Sequence, residues 1–315
     1  MKRKLFAALL LSAFAVAAFT GCSSQVATVS LGTTWSKTES ISYTYDIEFE
    51  KGEKNVTGYE FTLTDGAYLV TITPEQNGSE LCYRYETTLS VQGVYTDADG
   101  KTTKISDLTR TSTLLHEITN YSLFPVQSTK TIRQTGVAKK DGAYVLNSYR
   151  YRTETTYDFD KKTATATARA YNGTTDAYDL PISNVPEEKT YTKLTAGNFF
   201  DNDALLLALR AFPLQKSYSA SIRTLDVLNG KLTGLLCSVS SDEPFARKYS
   251  LDGKETEYLV LRAQIGISST MSGSPYTVYV APGEATDEIR NVVTEIVTTM
   301  PYGLGTLTYK LSRIS

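Results

Sequence analysis

Histidine and tryptophan each occur once in these 315 residues, and cysteine and methionine three times each. One histidine and three cysteines leave most transition-metal sites without their usual nitrogen and sulfur ligands, so no metal or other cofactor is expected. Excess positive charge is also lacking: 32 basic residues face 34 acidic ones, for a net charge of −2. Without a basic stripe the chain has no electrostatic footprint for nucleic acid. Long apolar runs are confined to the N-terminus, which argues against several membrane-spanning helices. What the sequence has instead is tyrosine, 22 in all, in a chain with 41% hydrophobic and 21% charged residues, an ordinary globular composition.

Lys2, Arg3 and Lys4 precede an apolar run from Leu5 to Phe19 that closes on Thr20, Gly21 and Cys22. A basic start, an apolar stretch and small residues before a cut describe a secretory signal over 1–21. The run is about 15 residues, short of the roughly 20 needed to span a bilayer. Removing residues 1–21 takes away three basic residues, leaving 29 against 34 acidic ones and a net charge of −5. The tetrad Phe19-Thr20-Gly21-Cys22 resembles the lipobox of bacterial lipoproteins, although Phe19 stands where an aliphatic residue is usual. That resemblance implies diacylation of Cys22, cleavage before it, a tether over 22–39 beginning Ser23-Ser24-Gln25, and an extracytoplasmic protein held on a bacterial membrane. Two acyl chains hold a protein at a membrane where one binds only marginally.

Export leaves Cys82 and Cys237 two readings. Disulfides persist outside the cytoplasm, and a bridge closing this loop of about 155 residues contributes about 4–5 kcal/mol by loop entropy. Equally, each cysteine lies in an apolar strand-like run, where a thiol serves as a small buried hydrophobe.

From residue 40 on, period-two alternation dominates. Ile41, Tyr43, Tyr45, Ile47 and Phe49 alternate with Ser42, Thr44, Asp46 and Glu48, giving a strand with one apolar and one wet face. Asp-Gly or Asn-Gly pairs follow at hairpin spacing, at 65–66, 77–78, 99–100, 141–142, 172–173, 229–230 and 252–253. Strands are expected near 55–64, 67–73, 80–96, 101–113, 127–136, 143–159 and 163–171. They resume near 217–227, 231–240, 256–270, 275–281, 289–300 and 304–313. Strands this long twist strongly, which predicts an all-β fold: a large antiparallel sheet curled into an open or half barrel. Residues 40–315 form a single domain in this reading, with 176–188 a connector or sub-boundary because Pro181, Pro186 and Glu187-Glu188 break the pattern. One helix is expected near 203–212, where Asp201-Asn202-Asp203 supplies an Asx cap and Pro213 a stop. Apolar almost all round, it belongs inside the curve of the sheet.

The helix Asp203 to Pro213 with Leu214, together with the strand pair Val292–Leu311 and its Gly303-Leu304-Gly305 turn, is similar to uncharacterised exported all-β bacterial proteins. More remotely, these segments resemble the open barrels of the lipoprotein-carrier (Lol-type) group. The resemblance covers roughly the last 120 residues and implies a fold and an apolar pocket, with no catalytic residue to carry over.

Direct search finds little chemistry. His116 stands without a nucleophile-elbow pattern, and an ordinary polar role suits it. Asp97-Ala98-Asp99-Gly100 has its glycine out of place for a calcium loop and reads as a turn. Asp201 and Asp203 form an acid pair of the kind used in glycoside hydrolysis, though capping a helix accounts for them more simply. Tyrosine pairs two apart, Tyr43/Tyr45, Tyr83/Tyr85 and Tyr149/Tyr151, each share one strand face. They line an apolar pocket if that face is concave, or stack on sugars if it is exposed. Arg84, Arg150 and Arg152 alternate with them on the opposite, solvent side. The sequence thus points to a non-catalytic lipid-anchored protein binding an apolar or amphiphilic ligand or an envelope partner, with carbohydrate binding on tyrosine platforms as the alternative.

Overall fold

The computed structural model describes residues 25–26, 39–78, 80–118, 122–194, 199–267, 276–283 and 291–315. The signal segment 1–21, Cys22 and most of the 22–39 tether lie outside the described residues. Within that tether, Gln25–Val26 forms β1, which pairs in parallel with Ala220 and Ser221.

The first half is an antiparallel meander: β2 (Ile41–Lys51), β3 (Glu60–Asn77), β4 (Glu80–Thr96), β5 (Thr102–Ile118), β6 (Ser122–Lys140), β7 (Ala143–Asp158) and β8 (Thr163–Asn172). Each strand pairs with the next. At 19 residues, β6 is about 60 Å long at roughly 3.3 Å per residue. Strands of that length twist and coil, and the sheet curls around its apolar face. Along β4, Tyr83, Tyr85, Val91 and Tyr95 are buried while Glu80, Glu86 and Gln92 are exposed, so odd positions line the concave side.

The connector 176–188 belongs to the same sheet. It carries β9 (Ala177–Leu180), paired with residues 170–172 of β8, and leads into β10 (Glu188–Thr192), paired with residues 163–167 of the same strand. A 3-10 turn at Asn202–Ala204 then opens into α1 (Leu205–Ala211). The rest comprises β11 (Ser219–Asp226), β12 (Lys231–Val239), β13 (Phe245–Leu251), β14 (Lys254–Ile267), β15 (Tyr276–Ala281), β16 (Val292–Thr299) and β17 (Gly305–Ile314). In the last of these, Leu311 pairs with Tyr45 of β2, joining the two halves into one sheet. Between the β11 edge and the β8–β10 edge lies a seam packed with Tyr157, Tyr191, Leu194, Phe199 and Leu225. The result is an open, curled antiparallel barrel whose concave side holds the helix: Leu207, Ala208 and Leu209 are each at most 1% exposed.

Two expectations need correction. Asp65-Gly66 is not a hairpin turn; it lies inside β3, at a bulge between Leu63 and Asp65, so 55–64 and 67–73 are not separate strands. Gly66 sits there because a Cβ would come within 2.9 Å of the Ile47 Cβ on β2. Strand β13 was not expected at all, since Phe245-Ala-Arg-Lys-Tyr-Ser-Leu251 carries charge and exposes most of its positions.

Candidate functional site

Asp201 occupies the N-cap of the helical segment, and its Oδ1 accepts from the Asp203 backbone N–H at 2.8 Å. A capping carboxylate usually faces water; this one is 5% exposed. Three consecutive strands supply it with donors. Thr113 of β5 and Ser128 of β6 donate hydroxyls to Oδ1 at 3.3 and 3.2 Å, and Tyr157 of β7 donates to Oδ2. Beside it, Lys130 of β6 donates to Asp203 Oδ1 at 2.7 Å. The helix start is therefore bolted to the inner wall by buried polar contacts, each of which would be costly if left unpaired.

Burial raises the Asp201 carboxyl to about 6, and the neighbouring Asp203 charge adds to the rise against the hydrogen bonds that favour ionisation. The Lys130 ammonium, pulled down by burial, is lifted further by the Asp203 carboxylate and ends above its ordinary value. Burial and the adjacent Asp201 likewise raise the Tyr157 hydroxyl.

These residues form one wall of a cavity of about 140 Å³. Tyr151, Thr153 and Thr155 continue that wall, and Leu225, Asp226, Val227 and Leu228 of β11 and its turn face them. Since one water-sized probe occupies about 10–15 Å³, the space holds on the order of ten non-hydrogen atoms. Beneath the helix, by contrast, the cavity lined by Tyr43, Tyr45, Tyr85 and Arg210 measures about 20 Å³. That is room for about one water, not for an acyl chain. A third hollow of about 300 Å³ runs over the outer face, between Glu86, Arg110 and threonines 71, 88, 129 and 131.

The six tyrosines do not share a site. Tyr43, Tyr45, Tyr83 and Tyr85 are buried in the main core. Tyr45 donates to the Val293 carbonyl at 2.8 Å and Tyr83 to Glu117 at 2.8 Å, while the Tyr85 hydroxyl is buried without a hydrogen-bond partner among the described residues. Tyr149 is 40% exposed, and only Tyr151 lines the polar cavity. No exposed row of these rings exists, so the platform expected for stacking on sugars is not formed. On the other face, Arg84 donates to Glu75 at 2.7 Å and Arg150 lies 5.6 Å over the Tyr171 ring.

Cys82 and Cys237 are both buried and both free, so no bridge joins them. His116 stands 3.6 Å from Glu80, and Asp97 accepts the Asp99 and Lys101 backbone N–H groups as a turn. Sequence reasoning missed Lys130, Tyr157 and Asp226. It also missed Asn291, whose buried side chain donates to the Leu209, Arg210 and Phe212 carbonyls at the helix end. Lys130, Tyr157 and Asn291 act on partners far away in sequence, so nothing in the local pattern marks them, and Asp226 bonds within its own turn, where only the fold brings it to the cavity.

Fold and cavity together define an open β-barrel plugged by a short helix, with a small pocket lined by both charged and apolar side chains. No protein-family model matches the chain, and no curated protein matches it. Among solved structures it is similar to a beta-barrel-like protein of a domain of unknown function, DUF1849, from Brucella abortus, at 12% identity and a TM-score of 0.45 over 88% of this chain and 98% of that one.

Proposed function

We propose that the chain is an extracytoplasmic lipoprotein, anchored through Cys22, that binds a small amphiphilic ligand in the cavity between β6–β7 and β11 without transforming it. The observation that carries this reading is the mixed lining of the pocket: the charged side chains of Lys130, Asp201, Asp203 and Asp226 surround one cavity together with Leu225, Val227, Leu228 and the Tyr151 and Tyr157 rings. An apolar pocket surface with a few convergent polar groups is the usual character of a ligand site. A binding role without catalysis fits the use of the carboxylates. Asp201 spends its oxygens on four donors, and Asp203 is neutralised by Lys130 at 2.7 Å. Of the two ligand places open to the sequence, the space under the helix is too small and the tyrosine platform is missing.

Anchoring is tested by labelling cells that express the chain with an alkynyl palmitate analogue. Wild type is expected to incorporate the label and sediment with membranes, whereas Cys22→Ser should do neither. Equal labelling of the two would contradict the anchor.

A further inference from the structure

The ligand's polar end follows from how charge is distributed in the pocket. One lysine faces three carboxylates there, Asp201, Asp203 and Asp226. That lysine is already taken, its Nζ lying 2.7 Å from Asp203 Oδ1. An anionic head group would enter beside Asp226 and, among the described residues that line the pocket, find no cation but the already paired Lys130. Asp226 differs from the other two acids. Among the described residues its oxygens accept only from the Asn229 backbone N–H at 3.1 Å and the Asn229 side chain at 2.7 Å, in its own turn, so lone pairs remain for a ligand.

A second observation stands apart from the acids. The Tyr191 hydroxyl, in a residue 5% exposed, has no hydrogen-bond partner among the described residues. It packs in the seam with Tyr157 and Leu225, two residues that also line the pocket, and its pKa is raised first by burial and then by the Asp226 charge. A buried polar group without a partner calls for an explanation, and this one packs against two residues of the pocket lining.

We infer that the pocket takes a ligand with a primary ammonium head and a short apolar tail, the ammonium at Asp226 and the tail along Leu225, Val227 and Leu228. This rests on the pocket-binding reading and names its ligand class.

The test is a titration calorimetry series on the mature protein with three probes of equal tail, octylammonium, octyl sulfate and octyl glucoside, each below its micelle concentration. Octylammonium is expected to bind with an affinity that falls with added salt, and octyl sulfate not at all. Asp226→Asn, which keeps the turn's shape, should weaken octylammonium binding at least tenfold, and Thr153→Trp, which fills the cavity, should abolish it. Thermal melts of both variants check that they remain folded. Should octyl glucoside or octyl sulfate bind instead, and lose binding in Thr153→Trp, the ammonium assignment is overturned while the pocket stands. Octylammonium binding that ignores both substitutions overturns the assignment to this pocket. If none of the three binds, the inference and the reading beneath it both fail.

Discussion

Lys130 and Asp203 lie 73 residues apart in the chain and 2.7 Å apart in the fold. The lysine stands on the inner wall of the barrel and the aspartate at the start of the only α-helix among the described residues, so this ion pair fixes where the helix meets the sheet. It also decides the character of the pocket, because it removes the one positive charge there from any ligand.

A half-buried pair of this kind should couple. In a double-mutant cycle of Lys130→Met and Asp203→Leu, urea melts are expected to give a coupling of about 1–3 kcal/mol, with each single variant less stable than wild type. A coupling near zero would mean that the pair forms without holding the helix.

The buried acid beside it sets a pH dependence. Burial pushes the Asp201 carboxyl up to about 6 in the folded chain, above its ordinary value of about 4, so the folded chain holds this proton more tightly than the unfolded one. Its contribution to stability is therefore full below about pH 4 and is lost as pH rises through about 6. Melting temperatures of wild type and Asp201→Asn should thus diverge between pH 4 and pH 7, with the asparagine variant gaining on wild type as pH rises. A constant difference over that range would show that Asp201 titrates at its ordinary value.

At the other end of the helix, Asn291→Ala removes a side chain that serves three backbone carbonyls, from Leu209, Arg210 and Phe212. Leaving buried acceptors unpaired costs about 1–3 kcal/mol, and denaturant melts should show a loss in that range. A neutral result would place the helix end in water.

Glycine requirements can be separated by a matched pair. Gly303 and Gly100 both have positive φ, 75° and 80°. A Cβ at Gly303 would sit 2.3 Å from the Lys54 carbonyl oxygen, whereas at Gly100 nothing lies within 4 Å. Gly100→Ala should cost about 1 kcal/mol from backbone strain alone, and Gly303→Ala clearly more. Equal losses would mean that the turn beside Gly303 yields freely.

Much of the fold was legible because its rule is local. The alternation Ile41 to Phe49 marks β2, and Asp201 with Pro213 marks the helix and its cap, since strand periodicity and capping depend on near neighbours. Asp65-Gly66 misled for the same reason: the pair has turn chemistry, but in the fold the glycine answers to Ile47 on the next strand. For the tyrosine pairs, spacing showed that each shares a face, and could not show that the face of Tyr43, Tyr45, Tyr83 and Tyr85 closes into the core. The pocket was least legible. Thr113, Ser128, Tyr157 and Asp201 meet only because three strands and one helix converge, and hydroxyl residues are common in any sheet.

The most direct test of the pocket is native mass spectrometry of the chain purified without its first 22 residues, before and after organic extraction. Wild type is expected to carry a small amphiphile that leaves on extraction, and Thr153→Trp, with the cavity filled, to fly as the bare chain. Bare protein in both, or the same bound mass in both, would contradict ligand binding in this cavity.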